Sequence, residues 1–323
     1  MTRIVQSPLD GVLVVDKPAG RTSHDIVDAA RRILGFRQIG HLGTLDPLGT
    51  GVLVLLLGRA TRLAQFYADR RKRYTCAVRF GFATDSYDAD GEAQGPDSCP
   101  SLDAEMLLPL AASLTGHILQ APPVFSAKKI HGRPAYELAR KKKPVDLKPV
   151  EVDVFDFRLT EIEGSVAHFA IECGPGTYIR SLAHEIGQKL GTGAHLIKIV
   201  RTAVGEFTLD RALSLDEIAD AARGGELPAR MIALENMLPD LPRTTVLPIV
   251  ERRLGHGMRF NVIPNQIQPG QTAAAQGAPE PLDAGEWKPA RLRVFSQQDQ
   301  LIAIAQAIVL RVYQPIVVLQ PTP

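Results

Sequence analysis

The sequence is poor in the residue types that mark several large classes of protein. Three cysteines, Cys76, Cys99 and Cys173, lie far apart with no C-x-x-C pair among them. That spacing excludes a disulfide framework and a zinc knuckle, and leaves three reduced thiols. No apolar run exceeds Val52 to Leu57, far short of the roughly 20 residues that span a bilayer. Met1 to Pro8 hold one basic residue and no apolar stretch of the kind that directs secretion, so a cytoplasmic location without membrane contact is expected. The eight histidines form no H-E-x-x-H motif and no Cys/His cluster, so no metal and no cofactor is expected. The most glycine-rich segment lacks both the Gly-Lys-Ser/Thr of a P-loop and a G-x-G-x-x-G fingerprint.

What remains is a globular chain of 323 residues, 45% hydrophobic and 22% charged, long enough for two domains. A formal charge of +2 conceals strong segregation. Arg59 to Arg73 holds six basic residues against Asp69, and Ser126 to Lys143 holds Lys128, Lys129, Arg133, Arg140, Lys141, Lys142 and Lys143 against Glu137. Between the two blocks, Asp85 to Glu105 carries seven acidic residues and no basic one. Two basic blocks on a balanced chain fit a polyanion footprint or a solvated face.

Gly11 to Val15 reads as a buried strand, followed by a Lys-Pro turn and a helix capped by Thr22 or Ser23 and ended at Gly35. Val52 to Leu57 is a second buried strand, and Tyr74 to Phe82 alternates as a half-buried one. Ser101 to Thr115 is predicted helical despite Pro109, and Tyr136 to Lys143 reads as a basic helix. Val150 to Leu159 changes face midway, and Ala167 to Cys173 is its predicted partner. A turn at Gly174 to Thr177 leads into a helix over Tyr178 to Leu190. Residues 263 to 286 read as a long Gln/Ala/Pro-rich loop, with short strands beyond it at 291–295, 301–305 and 309–313.

Chemistry concentrates between the first helix and the second strand. The loop Ile39 to Gly51 holds four glycines, Pro47, a single carboxylate, Asp46, and His41 five residues before it. An Asp before Pro is ordinarily a turn residue, and a lone loop histidine ordinarily a surface one. The run Gly40-His-Leu-Gly-Thr-Leu-Asp-Pro, continuing as Leu48-Gly-Thr-Gly-Val-Leu53, closely resembles the catalytic motif of the TruB family of pseudouridine synthases. Further matches follow in order from Gly11 to Ser23, at Lys72-Arg-Tyr74, Gly81 to Ser86, Pro122 to Lys128, Arg133 to Ala139 and Gly174 to Ser181.

The resemblance covers roughly residues 10 to 210 and implies an α+β pseudouridine-synthase-like catalytic domain over 1–243 with a central mixed or antiparallel sheet. A basic RNA-holding insertion at about 122–147 and a PUA-like β module over 244–323 complete the expected organisation. The implied substrate is the T-loop uridine of tRNA, position 55 in standard tRNA numbering, bound through the T-arm with no obligatory protein partner. Breaking and remaking a glycosidic bond calls for a carboxylate at the sugar or base, which Asp46 supplies as nucleophile or as base. The resemblance further implies that Arg180 pairs with Asp46, that Tyr74 stacks on the flipped base, that Tyr178 lines the pocket and that His41 holds the RNA loop open. Lys128, Lys129, Arg133 and Lys141, Lys142 and Lys143 would meet phosphates. A tRNA-folding or RNA-binding protein, and a synthase of another RNA, are the other readings.

Overall fold

The computed structural model describes residues 9–125, 148–271 and 290–319, with the backbone alone of 129–130 and 133–134. The basic helix expected at Tyr136 to Lys143 lies outside the described residues.

The first strand, Gly11–Lys17 (β1), leads into helix Ser23–Leu34 (α1). Thr22 and Asp25 form a reciprocal capping box at its start, and Gly35 closes it in the left-handed conformation. Strands Ile39–His41 (β2), Thr50–Leu57 (β3) and Lys72–Phe80 (β4) follow, with 3₁₀ turns over Gly58–Tyr67 between the last two. The first part of the acidic stretch, Asp85 to Glu92, lies between the short strands Ala83–Thr84 (β5) and Ala93–Gln94 (β6). Helix Ala104–Ser113 (α2) begins at an Asp103 cap and tolerates Pro109. After it come Gly116–Gln120 (β7), a hairpin of Lys129–Ile130 (β8) and Arg133–Pro134 (β9), and the long pair Val150–Glu163 (β10) and Val166–Cys173 (β11). Helix Ile179–Leu190 (α3), strands Ala194–Val204 (β12) and Phe207–Thr208 (β13), and helices Leu215–Gly224 (α4) and Leu227–Arg230 (α5) complete this part.

Nine of these strands form one mixed sheet in the order β1-β3-β12-β4-β11-β10-β7, with β2 on β3 and β13 on β12, while β5 pairs with β6 and β8 with β9 as separate two-stranded ribbons. The pairings are antiparallel except where β12 runs parallel to β3, Val200 opposite Thr50 and Arg201 opposite Gly51. Strand β3 is apolar throughout because both of its faces are covered. Leu53 and Leu55 face α1 and α4, while Val54 and Leu56 face Leu63, Phe207 and Leu234. Helices α2 and α3 cover the other half of the sheet, where Val78, Phe169, Leu182 and Ile186 are buried together. The expected change of face in β10 is produced by two register shifts, between Val154 and Asp156 and between Leu159 and Glu161.

A second sheet begins at Arg243–Thr245 (β14), across the expected 243/244 boundary. With helix Pro248–Gly255 (α6) it contains Phe260–Asn261 (β15), Ile267–Gln268 (β16), Arg291–Phe295 (β17), Leu301–Val309 (β18) and Val312–Val318 (β19), in the order β15-β19-β18-β17-β14-β16. The expectation of an unbroken loop from residue 263 is corrected at β16, which pairs with β14 through Thr244 and Ile267. This sheet does not hang free. Phe295, Leu301, Ile304, Val317 and Leu319 share one apolar core with Val12, Leu56, Leu63 and Phe207, and Arg59 and Arg62 donate to the carbonyls of Leu319 and Val318. Among the described residues no helix is long and apolar enough to cross a membrane.

Candidate active site

Asp46 sits in the loop between β2 and β3, and two buried cations hold that loop by its carbonyls. Lys17, fully buried at the end of β1, donates through Nζ to Gly49 O at 2.6 Å, Pro18 O at 2.9 Å and Pro47 O at 3.3 Å. Burial pushes its ammonium down to about 8, with the Arg201 charge acting in the same sense and Asp46 opposing. Arg201, fully buried on β12, donates to Val52 O at 2.8 Å and to Gly43 O and Thr44 O, both at 3.1 Å. Ser23 at the head of α1 completes the frame, its hydroxyl accepting from Leu45 N at 2.8 Å and donating to Leu45 O at 3.0 Å. Gly51 must be glycine here, with φ +90° and a would-be Cβ only 2.4 Å from Arg201 O.

The Asp46 carboxylate, 40% exposed, meets the first turn of α3, where Arg180 Nε donates to Asp46 Oδ2 at 2.8 Å. The other guanidinium nitrogens are also engaged. Nη1 donates to Ser86 O at 2.9 Å and lies 3.3 Å from Asp88 Oδ2, and Nη2 donates to Phe125 O at 2.9 Å. Arg180 is 5% exposed, so it bridges a half-open carboxylate to a buried one. Burial raises the Asp88 carboxyl, opposed by its Ser86 hydrogen bond and by Arg180. Between Ser86 and Asp88, Tyr87 has φ 67° and stacks its ring on His184, one turn along α3 from Arg180, with centroids 3.8 Å apart.

Tyr74 lies on β4 in the same apolar cluster as Leu45 and Ile179. Burial pushes its phenol up to about 12, with the Arg201 charge opposing. Tyr178 caps α3 without a side-chain cap bond, its backbone held by Gln120. His41, at the end of β2, stands outside the Asp46–Arg180 network; burial lowers its imidazole, with the Gly43 backbone opposing. Lys128 and Lys141, Lys142 and Lys143 lie outside the described residues, and Lys129 and Arg133 are described only as backbone of the β8–β9 hairpin. The structural parts of Lys17, Ser23, Asp88 and Arg201 escaped sequence reasoning; a lysine closing an apolar strand was the one local signal.

Groups of the kind that ligate metals meet elsewhere, at a site that holds no ion. Glu161, Glu163 and His168 bring ligand atoms within 4.8 Å of one another on the β10–β11 hairpin, all of them exposed or partly so. Cross-strand pairing of Glu161 with His168 makes neighbours of residues that sequence spacing keeps apart.

The architecture matches solved structures over nearly its whole length. A Cbf5-Nop10-Gar1 complex aligns with TM-score 0.70 at 23% identity, covering 97% of this chain and 85% of that chain. An H/ACA RNP bound to a substrate RNA containing 2'-deoxyuridine aligns with TM-score 0.69 at 22% identity, covering 97% and 86%. The chain therefore shares the α+β fold found in these complexes. The model of the TruB family pseudouridylate synthase N-terminal domain matches residues 31–179, and that of the tRNA pseudouridylate synthase B C-terminal domain matches 180–245. A protein of Solibacter usitatus called tRNA pseudouridine synthase B is 40% identical over 96% of this chain and 100% of its own length. One of that name from Thermotoga maritima is 36% identical over 92% of this chain and 90% of its own length. The chain belongs to the TruB family of pseudouridine synthases.

Proposed function

We infer that this protein isomerises uridine to pseudouridine in the T-loop of tRNA, at position 55 in standard tRNA numbering, with Asp46 as its essential carboxylate. In the reaction the bond from N1 to C1′ breaks, the base turns, and C5 bonds to C1′ while its proton leaves and N1 gains one. The observation that carries this reading is the 2.8 Å contact between Asp46, half-open to solvent, and the buried Arg180. A fixed guanidinium leaves the second carboxylate oxygen to face the sugar or base, either as nucleophile or as base. Tyr74 and Tyr178 form walls for the flipped base, and His41 at the rim helps hold the RNA loop open, which offsets the cost of unstacking. The basic arm with Lys128, Lys129, Arg133 and Lys141, Lys142 and Lys143 contacts the T-arm phosphates, and the second sheet serves as a PUA-like RNA-binding module.

The test is pseudouridine mapping in an unmodified tRNA transcript incubated with the protein. Product at the single T-loop uridine supports the assignment. Tight binding without product, or product only in another RNA, overturns it.

A further inference from the structure

Gln120 ends β7 and is fully buried. Its amide forms a two-point pair with the backbone of Tyr178: Tyr178 N donates to Gln120 Oε1 at 2.8 Å, and Gln120 Nε2 donates to Tyr178 O at 3.1 Å. The orientation is unambiguous, since the backbone N–H can only donate and the carbonyl only accept. Tyr178 is the N-cap of α3 and provides no side-chain cap of its own. Two neighbouring bonds repeat the connection. Ser181 Oγ donates to Ala121 O at 2.7 Å, and Arg180 Nη2 donates to Phe125 O at 2.9 Å. Residues 178, 180 and 181 of the helix are thereby tied to residues 120, 121 and 125, the stretch that follows β7.

We propose that Gln120 is a positioning residue for the reaction, its amide fixing the first turn of α3 so that Arg180 and Tyr178 meet Asp46 in one register. The proposal rests on the roles given above to Asp46 and Arg180. A buried amide is suited to this task because it satisfies a donor and an acceptor at once without a charge. Neither an alkyl chain nor a carboxylate can do so, and misplacing a reacting group by about 1 Å costs on the order of 100-fold in rate.

The chemistry of the pair supplies its own test, in Gln120→Glu. A neutral carboxyl presents one acceptor and one O–H donor, as the amide does, whereas an ionised one presents two acceptors and repels Tyr178 O. The charged groups on the elements packed here are Arg180 of α3 with its partners Asp46 and Asp88, and His117 of β7 with Glu151 and Asp153 of the neighbouring β10. Dividing the variant's rate by the parent's at each pH removes what those groups contribute to both. Single-turnover pseudouridine formation in a tRNA transcript is followed from about pH 5.5 to 8.5, with Gln120→Met as the shape-matched variant that makes neither bond. Full burial at this position raises a carboxyl from its ordinary value of about 4.3 into this range, so the ratio for Gln120→Glu is expected to lie within about fivefold of unity at the acid end and to fall at least tenfold further by the alkaline end. Gln120→Met is expected to be slow throughout at a flat ratio, with KM for tRNA within about threefold of the parent's.

A flat Gln120→Glu ratio overturns the proposal, as does a rise in KM with kcat unchanged, which would place Gln120 in RNA docking. Where Gln120→Met does not fold, Gln120→Glu alone decides, because the acid form restores both bonds. A parental rate for Gln120→Glu at the alkaline end, or for Gln120→Met at any pH, beside an inactive Asp46→Asn refutes this proposal and leaves the Asp46 reading standing; an active Asp46→Asn refutes that reading.

Discussion

Replacing Lys17 by Met keeps the length of the side chain and removes the ammonium that three carbonyls share. Of its bonds, that to Gly49 O is fully buried, and those to Pro18 O and Pro47 O are partly so. Leaving the buried acceptor unpaired costs about 1–3 kcal/mol, and the other two, which water can reach, about 0.5–1.5 kcal/mol each. Relief from burying an ammonium offsets part of this, so a net loss of about 1–4 kcal/mol is expected, a drop of roughly 1.5–6 °C in Tm for a protein of this size, whose unfolding entropy is about 2.1 cal/mol/K per residue. The functional consequence is larger, because Pro47 is the neighbour of Asp46: kcat is expected to fall at least tenfold with KM for tRNA little changed.

The parent has a signature of its own. With its ammonium lowered to about 8, Lys17 deprotonates in the folded protein before it does so in the unfolded chain, whose lysine stays charged up to about 10.4. Between these limits the unfolded state holds more protons at this position, so Lys17's contribution to stability rises with pH while the loop loses a donor and activity falls. Thermal melts and single-turnover assays on one preparation measure both. A Lys17→Met enzyme with parental kcat would refute the idea that this lysine places Asp46.

Asp88→Asn keeps the bond from Ser86 but leaves Arg180 with Asp46 as its single carboxylate partner; turnover should fall by about tenfold or more. Because burial raises the Asp88 carboxyl, its ionisation costs stability as pH climbs from the ordinary carboxylate range to the raised one, and stability curves over that acid range should be flatter in the variant. Neutralising Lys128, Lys129, Arg133 and Lys141 to Lys143 should weaken tRNA binding and reduce its salt slope by up to about 0.9 log units per lost phosphate contact, and an unchanged slope would remove the arm from the interface.

How far the fold could be read from sequence depended on where polarity and periodicity agreed. Thr22, Asp25 and Gly35 mark the ends of α1 by local chemistry alone, and β3 announces itself because both of its faces are covered. Strand β12 was not anticipated although it lies at the centre of the sheet. It carries His195, Lys198 and a fully buried Arg201, and a buried guanidinium satisfied by loop carbonyls breaks the apolar pattern that would have marked it. The strand expected at 309–313 instead straddles the turn between β18 and β19, because Ile308, Val309 and Leu310 are apolar yet exposed there and Arg311 takes φ 65°; β18 runs on to Val309 and β19 to Val318. In the site, Asp46 and Arg180 are 134 residues apart, and only the family resemblance joined them. Lys17, Asp88, Gln120 and Arg201 act through backbone carbonyls and buried charge, which neither spacing nor composition records.

The central claim is that Asp46 does the chemistry, and Asp46→Asn tests it most directly. Asn keeps the size of the side chain and an oxygen for Arg180 Nε, while Asp88 still faces the guanidinium, so the loop should hold its shape as the negative charge disappears. The measurement is pseudouridine formed in an unmodified tRNA transcript at saturating protein, with affinity determined on the same preparation. Loss of turnover by several orders of magnitude with binding retained is the expected result. Activity within about tenfold of the parent, a loss of only some 1.4 kcal/mol, would contradict it and make Asp46 a turn residue.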